Sequence, residues 1–171
     1  EVHGGLLKIA RIKGLLASLV ALGLLFGSNF VVILAVAKEN NRAAEGGLWV
    51  GLYPLGSIVA GLIYGFIHWK SSNAIRYTIA LAFMTLATST ILVFQDIDTL
   101  VYLLILSGVA IAPALIAANA LMKELVPLPR LTEAFALVGA ALSIGITLGS
   151  SLSGLIVDEF GGWSGFSFMT G

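Results

Sequence analysis

The stretch Gly14–Ala37, GLLASLVALGLLFGSNFVVILAVA, decides the fold because 24 consecutive residues carry no charge. A helix rises about 1.5 Å per residue, so roughly 20 apolar residues cross about 30 Å of hydrocarbon. A strand in that position would leave its backbone hydrogen-bonding groups unpaired in lipid. We therefore interpret the stretch as a transmembrane helix.

The rest of the chain repeats this pattern, because its charged residues are confined to short clusters between further apolar stretches. The other charge-free stretches, 18 to 24 residues long, are 46–67, 77–94, 99–122 and 134–157. A further apolar segment, 163–171, is about half as long as a membrane crossing requires. We expect an all-α integral membrane protein, a polytopic bundle of five full transmembrane helices plus a truncated sixth. Since the chain also begins at Glu1, we expect a fragment cut at both ends.

The composition excludes several classes of protein and site. Apolar residues make up 58% of the chain and charged residues 11%, which argues against both disorder and a water-soluble globule. The net charge is zero, so no basic patch for nucleic acid is expected. There is no Cys, and His3 and His68 lie in separate clusters, so the sequence predicts no metal site. No phosphate-binding loop or dinucleotide fingerprint occurs, and no cofactor is expected.

The basic residues predict the orientation. Seven of the nine Lys and Arg residues fall on one side of the expected spans, and two fall on the other. Because basic loops stay in the cytoplasm, the segment 1–13 is expected to be a cytoplasmic tail or the end of a central loop. Lys70, Arg76 and Arg130 then lie in cytoplasmic loops of a multi-pass protein of the cell (inner) membrane.

Small residues recur at a spacing of four in two of the expected helices. The second span carries Ser57, Gly61 and Gly65, and the fifth carries Gly145, Gly149 and Ser153. Such rows let helix backbones approach each other closely in lipid. They predict tight packing inside the bundle, or faces that meet helices not present in this chain.

The prolines and the polar residues inside the spans each have a functional and a structural interpretation. Pro54 and Pro113 predict helix kinks, which occur both in helices that gate and in static membrane bundles. The polar side chains either bond to neighbouring helices or line a substrate pathway. These candidates are Asn29, Tyr53, Asn119, Ser143 and Thr147. No span contains an ionisable residue of the kind that usually marks a proton relay, so no proton-coupling site is expected here.

Several stretches resemble the C-terminal half of a major facilitator superfamily transporter, with the strongest likeness over 108–162. Gly108-Val-Ala-Ile-Ala-Pro113 looks like the tenth helix of that family. Glu124-Leu-Val-Pro-Leu-Pro-Arg-Leu-Thr-Glu-Ala-Phe135 looks like the following loop. Gly145-Ile-Thr-Leu-Gly-Ser-Ser-Leu-Ser-Gly-Leu-Ile-Val-Asp158 is similar to the eleventh helix of bacterial drug and sugar efflux members.

The resemblance implies secondary active transport of a small-molecule substrate by alternating access, with efflux of drugs or metabolites as the commonest role. It also implies a missing N-terminal six-helix half, which the two rows of small residues would contact. The loop with Lys70 and Arg76 is similar to the family's signature loop in its basic character. It lacks the Asp and the Gly-Arg-Arg core of that signature.

Two other functions are considered. The chain could be a non-transporting membrane subunit or scaffold whose small-residue rows dock a partner. Gly162-Trp163-Ser164-Gly165 also matches the GxSG pattern of rhomboid-type intramembrane serine proteases. That enzyme needs a base beside its serine, and no His follows Ser164. We therefore expect a non-enzymatic protein whose surroundings are membrane lipid.

Overall fold

The computed structural model describes residues 6–94 and 96–164 of the chain. Within them the structure holds seven α-helices and no strand. The helices are α1 Ala10–Glu39, α2 Ala43–Leu52, α3 Leu55–Phe66, α4 Asn73–Val93, α5 Ile97–Gly108, α6 Ile111–Leu125 and α7 Leu131–Phe160. Short 3₁₀ turns at Leu6–Lys8 and Leu128–Arg130 precede α1 and α7. The start of the expected tail, most of the segment 163–171 and Gly165 of the GxSG pattern lie outside the described residues.

The five expected spans are confirmed as helical units that are long and apolar enough to cross a membrane. These units are Ala10–Glu39, Ala43–Phe66, Asn73–Ile91, Thr99–Leu125 and Leu128–Phe160. Each charge-free stretch lies wholly or almost wholly inside its helical unit. A helix satisfies its own backbone hydrogen bonds, so it can extend past an apolar stretch into charged residues, as the first and fifth units do at both ends.

The second and fourth spans are interrupted, and each interruption lies beside a proline. α2 ends at Leu52 and α3 begins at Leu55, with Pro54 between them. Proline has no N–H to donate and its ring clashes with the preceding turn, so the helix stops there. The fourth span breaks between Gly108 and Ile111, and Pro113 lies in the first turn of α6, where its missing N–H costs little.

Two apolar clusters form the core. One joins the first half of α1 to α4, α6 and α7, and includes Leu19, Met84 and Ala117. The other joins the second half of α1 to α2 and α5, and includes Ile33 and Leu104. α1 is therefore the central helix, and it connects the two ends of the bundle.

The outer surface is rich in large apolar side chains. On α3 and α4, Leu62, Phe66 and Leu86 have 63%, 83% and 68% of their surface exposed. A protein in water rarely exposes so continuous an apolar surface, whereas hydrocarbon chains of lipid solvate it well. This face suits contact with membrane lipid.

Candidate functional site

The most extensive helix contact among the described residues is the crossing of α1 and α7, and four glycines lie in it. Gly23 and Gly27 lie on α1, and Gly145 and Gly149 lie on α7. A Cβ atom at any of the four would fall well inside van der Waals contact of a backbone carbonyl oxygen on the opposite helix. Only glycine permits this approach, in which Cα–H groups face carbonyls across the crossing.

Two serine hydroxyls connect the same pair of helices in a reciprocal way. Ser28 Oγ donates to the Gly149 carbonyl at 3.3 Å, and Ser150 Oγ donates to the Gly27 carbonyl at 3.2 Å. Hydrogen bonds of this kind add about 0.6 kcal/mol each on average between membrane helices. The crossing is thus held by backbone packing and by two hydroxyl bonds.

This contact favours one of the two alternatives for the row Gly145, Gly149 and Ser153, tight packing inside the bundle. All three residues are buried, and α1 covers both glycines. The sequence reading overlooked the matching pair Gly23 and Gly27 on α1, although their spacing of four is the same signal.

The other small-residue row, on α3, is more open. Ser57 and Gly61 are half-buried, and a Cβ at Gly61 would lie 3.0 Å from the Ala112 Cβ on α6. Gly65 is exposed, and a Cβ there would meet nothing within 4 Å. The row therefore begins against α6 and ends on the open surface.

The two helix interruptions meet each other. The Tyr53 carbonyl at the end of α2 lies against Gly108, where a Cβ would collide with it. Beside it, Gly56 of α3 lies against the Ile105 carbonyl and the Val109 nitrogen of the other interruption. We call this backbone-to-backbone contact the break junction.

A buried polar pair lies where α1 meets the break junction. Asn29 and Tyr53 are 1% and 5% exposed. Asn29 Nδ2 donates to the Leu25 carbonyl at 2.9 Å and to Tyr53 Oη at 3.4 Å. Asn29 Oδ1 is buried and has no hydrogen-bond partner among the described residues. A buried acceptor left unsatisfied is costly, so this oxygen is suited to a polar group that enters the bundle.

The remaining polar candidates lie elsewhere, so the structure brings together only two of the five. Asn119 is half-buried on α6 and donates to the Leu115 carbonyl at 2.8 Å. Ser143 and Thr147 are exposed one turn apart on the outward face of α7, where Thr147 Oγ1 donates to the Ser143 carbonyl at 2.9 Å.

The predicted basic residues gather at one end of the bundle, which we call the basic end. Lys70 is exposed, whereas Arg130 forms an ion pair with Glu133 at 2.9 Å. Arg76 donates to Tyr64 Oη at 3.2 Å and to Asn73 Oδ1. This end therefore combines a solvated charge, a paired charge and a half-buried guanidinium.

Neither a nucleophile–base pair nor a metal cluster is found among the described residues. Ser164 lies just beyond α7, and its Oγ donates to the carbonyl of Phe160, the last residue of that helix, at 2.8 Å. Among the side chains that the structure describes, no three His, Asp or Glu residues come together in a way that could hold a metal ion.

Comparison with known proteins gives one match. A family model described as Major Facilitator Superfamily matches residues 14–171, which include all five charge-free stretches and the break junction. No curated protein and no solved structure matches the chain.

Proposed function

The chain belongs to the Major Facilitator Superfamily of membrane transporters, and we propose that it is the C-terminal half of a secondary active transporter that works by alternating access. The resemblance over 108–162 to bacterial efflux members supports this half and this branch. The proposed role is efflux of small molecules, drugs or metabolites, across the cell membrane. The segment 1–13 is proposed to lie in the cytoplasm, in keeping with the distribution of Lys and Arg.

The break junction is the observation that carries the mechanism. Irregular backbone inside a membrane is tolerated where protein buries it or where it lines a cavity. Transporters commonly place their binding sites at such discontinuous helices. Here two interrupted spans contact each other through Tyr53 and Gly108, and the unsatisfied Asn29 Oδ1 lies beside them. A substrate that reaches this oxygen would occupy the point where both spans can change direction.

The outward face of α7 supports the other part of the proposal. Gly139, Ser143 and Thr147 form an exposed row of small residues one turn apart. Large exposed side chains such as those of Ile144 and Leu148 lie beside this row, as Leu62 and Leu86 lie on the surface of α3 and α4. An exposed small and polar row suits a second helical domain and a substrate pathway between the two domains. Asn119 on α6 is the remaining candidate for this pathway.

Transport by the full-length protein in everted membrane vesicles tests the proposed function. We expect energised vesicles to accumulate at least one compound from a panel of small drugs and sugars, and ionophores that collapse the ion gradients to stop the accumulation. Asn29→Leu replaces both polar atoms of the Asn29 side chain by methyl groups and keeps its branched shape. It should lower transport efficiency about tenfold or more, since a binding site that loses a buried hydrogen-bonding group discriminates poorly.

Asn40→Leu is the matched control, because Asn40 is exposed just beyond α1. We expect it to transport at the parent rate. If Asn29→Leu transports at the parent rate, the polar pair is not part of the transport pathway. Failure of the parent protein to move any compound would favour the non-transporting subunit instead.

A further inference from the structure

A pocket of about 220 Å³ lies on the outer face of α3, α4 and α6, away from the break junction's polar pair. At one end it is bounded by Tyr64, Trp69 and Arg76, and at the other by Phe83, Val109 and Pro113. We call it the Arg76 pocket. Its walls are almost entirely apolar, so the guanidinium of Arg76 is the main polar feature that a ligand would meet.

The charge of Arg76 has no counter-ion among the described residues. One of its terminal nitrogens donates to Tyr64 Oη at 3.2 Å and the other to Asn73 Oδ1. Both acceptors are neutral, and the buried Nε has no acceptor in the part of the chain that the structure describes. The guanidinium also lies 5.9 Å from the Tyr64 ring centre and 5.8 Å from that of Trp69. Guanidinium has five N–H donors, so most of its hydrogen-bonding capacity is unused.

An anion would complete this arrangement. The acid linked to the cluster is Glu124, which reaches it only through the Asn73 amide, by a 2.6 Å bond to Asn73 Nδ2. A half-buried charge beside apolar walls is costly unless an opposite charge pairs with it. Phosphate and carboxylate oxygens match the fork of an Arg side chain, and such charged hydrogen bonds are about twice as strong as neutral ones.

The surroundings of the pocket point to a lipid as the source of that anion. Ile79 and Phe83 are 62% and 39% exposed where the pocket opens, and the neighbouring surface of α3 and α4 is also large and apolar. Drug-sized ligands need about 300–1,000 Å³, so a pocket of 220 Å³ suits part of an acyl chain better. Trp69 and Tyr64 are residue types that favour the headgroup level of a membrane.

We propose that the Arg76 pocket binds an anionic phospholipid. The lipid phosphate accepts hydrogen bonds from Arg76, and one acyl chain runs past Ile79 and Phe83 toward Pro113. Basic pockets between transmembrane helices bind anionic headgroups by this chemistry. The end of the acyl chain then contacts Val109 and Pro113, which border the interruption between α5 and α6.

Native mass spectrometry of the full-length protein, titrated with phosphatidylglycerol or phosphatidylcholine, tests this site. We expect the parent to bind phosphatidylglycerol more tightly. Arg76→Gln should weaken that binding about tenfold or more, because a hydrogen-bonded charge pair is lost. Lys70→Gln removes the same charge from the exposed loop nearby. It should weaken phosphatidylglycerol binding at most about fivefold, the ordinary effect of one surface charge. Equal losses for the two variants would overturn the proposal.

A second measurement locates the acyl chain without any substitution of Arg76. In nanodiscs, brominated acyl chains of phosphatidylglycerol should quench tryptophan fluorescence more than brominated phosphatidylcholine does at the same mole fraction. The extra quenching should disappear in Trp69→Phe, since Trp69 borders the pocket. Equal quenching by the two lipids, or extra quenching that persists in Trp69→Phe, would contradict the site.

Discussion

At the residue scale, the contact between α1 and α7 depends on side chains that are absent. Gly27 and Gly149 place backbone directly against backbone, and an added methyl group would collide with a carbonyl that a helix cannot move cheaply. Gly139 and Gly154 lie on the same helix as Gly149 but would accept a Cβ in open space. The same residue type is therefore essential at one position and replaceable a few turns away.

Alanine substitutions at these glycines give a direct comparison. Gly27→Ala or Gly149→Ala should lower the free energy of unfolding by about 1–3 kcal/mol, the usual cost of overpacking a tight contact. The midpoint of thermal unfolding of the full-length protein in detergent measures the loss. Gly154→Ala, where a Cβ would meet nothing within 4 Å, is the control and should stay within about 0.5 kcal/mol of the parent. If the control loses as much stability as Gly149→Ala, the close contact between α1 and α7 does not explain the loss.

The sequence predicted the role of single residues better than it predicted which residues they contact in the fold. The row Gly145, Gly149 and Ser153 was expected either to pack inside the bundle or to meet helices outside the chain, and both glycines pack against α1. Periodicity shows which face of a helix is small and does not show which helix covers it. Asn29 and Tyr53 could not be paired in advance, because 24 residues of chain separate them and only the bend after α1 joins them.

At the scale of the elements, the absence of charge and the positions of the prolines predicted most of the spans and their bends. A charged residue in mid-span would cost about 2.5–3.5 kcal/mol on insertion, so the charge-free stretches locate the spans reliably. Pro54 and Pro113 indicated where two spans would bend. That the two bends touch could not be read from the sequence, because the contact is between backbones, at Tyr53 and Gly108.

The contact between the bends can be blocked by one methyl group. Gly108→Ala would place a Cβ against the Tyr53 carbonyl, so α2 and α5 would have to separate at the break junction. We expect the initial transport rate in vesicles to fall severalfold at equal protein level. Gly51→Ala, on α2 where a Cβ would meet nothing within 4 Å, should retain the parent rate. Full activity of Gly108→Ala would show that transport does not need this junction.

At the scale of the whole molecule, the bundle has surfaces of two kinds. The face of α3 and α4 exposes large apolar side chains such as Leu62 and Ile79, as a lipid contact requires. The outward face of α7 also exposes apolar side chains such as Ile144, but it carries beside them the small polar residues Ser143 and Thr147. Composition indicated a membrane protein, but only the fold separates a lipid-facing side from a side suited to a second domain. Alternating access at the second kind of surface is the central claim.

Cysteine accessibility on the two surfaces tests this claim most directly. Ser143→Cys and Ile79→Cys would be made in the full-length protein, reconstituted in vesicles, and treated with a membrane-impermeant maleimide from either side. If α7 lines an alternating pathway, Ser143→Cys should react from both sides, whereas Ile79→Cys, facing lipid, should react from neither. Ser143→Cys that is as unreactive as Ile79→Cys, or that reacts from one side only under every condition, would contradict alternating access at this face.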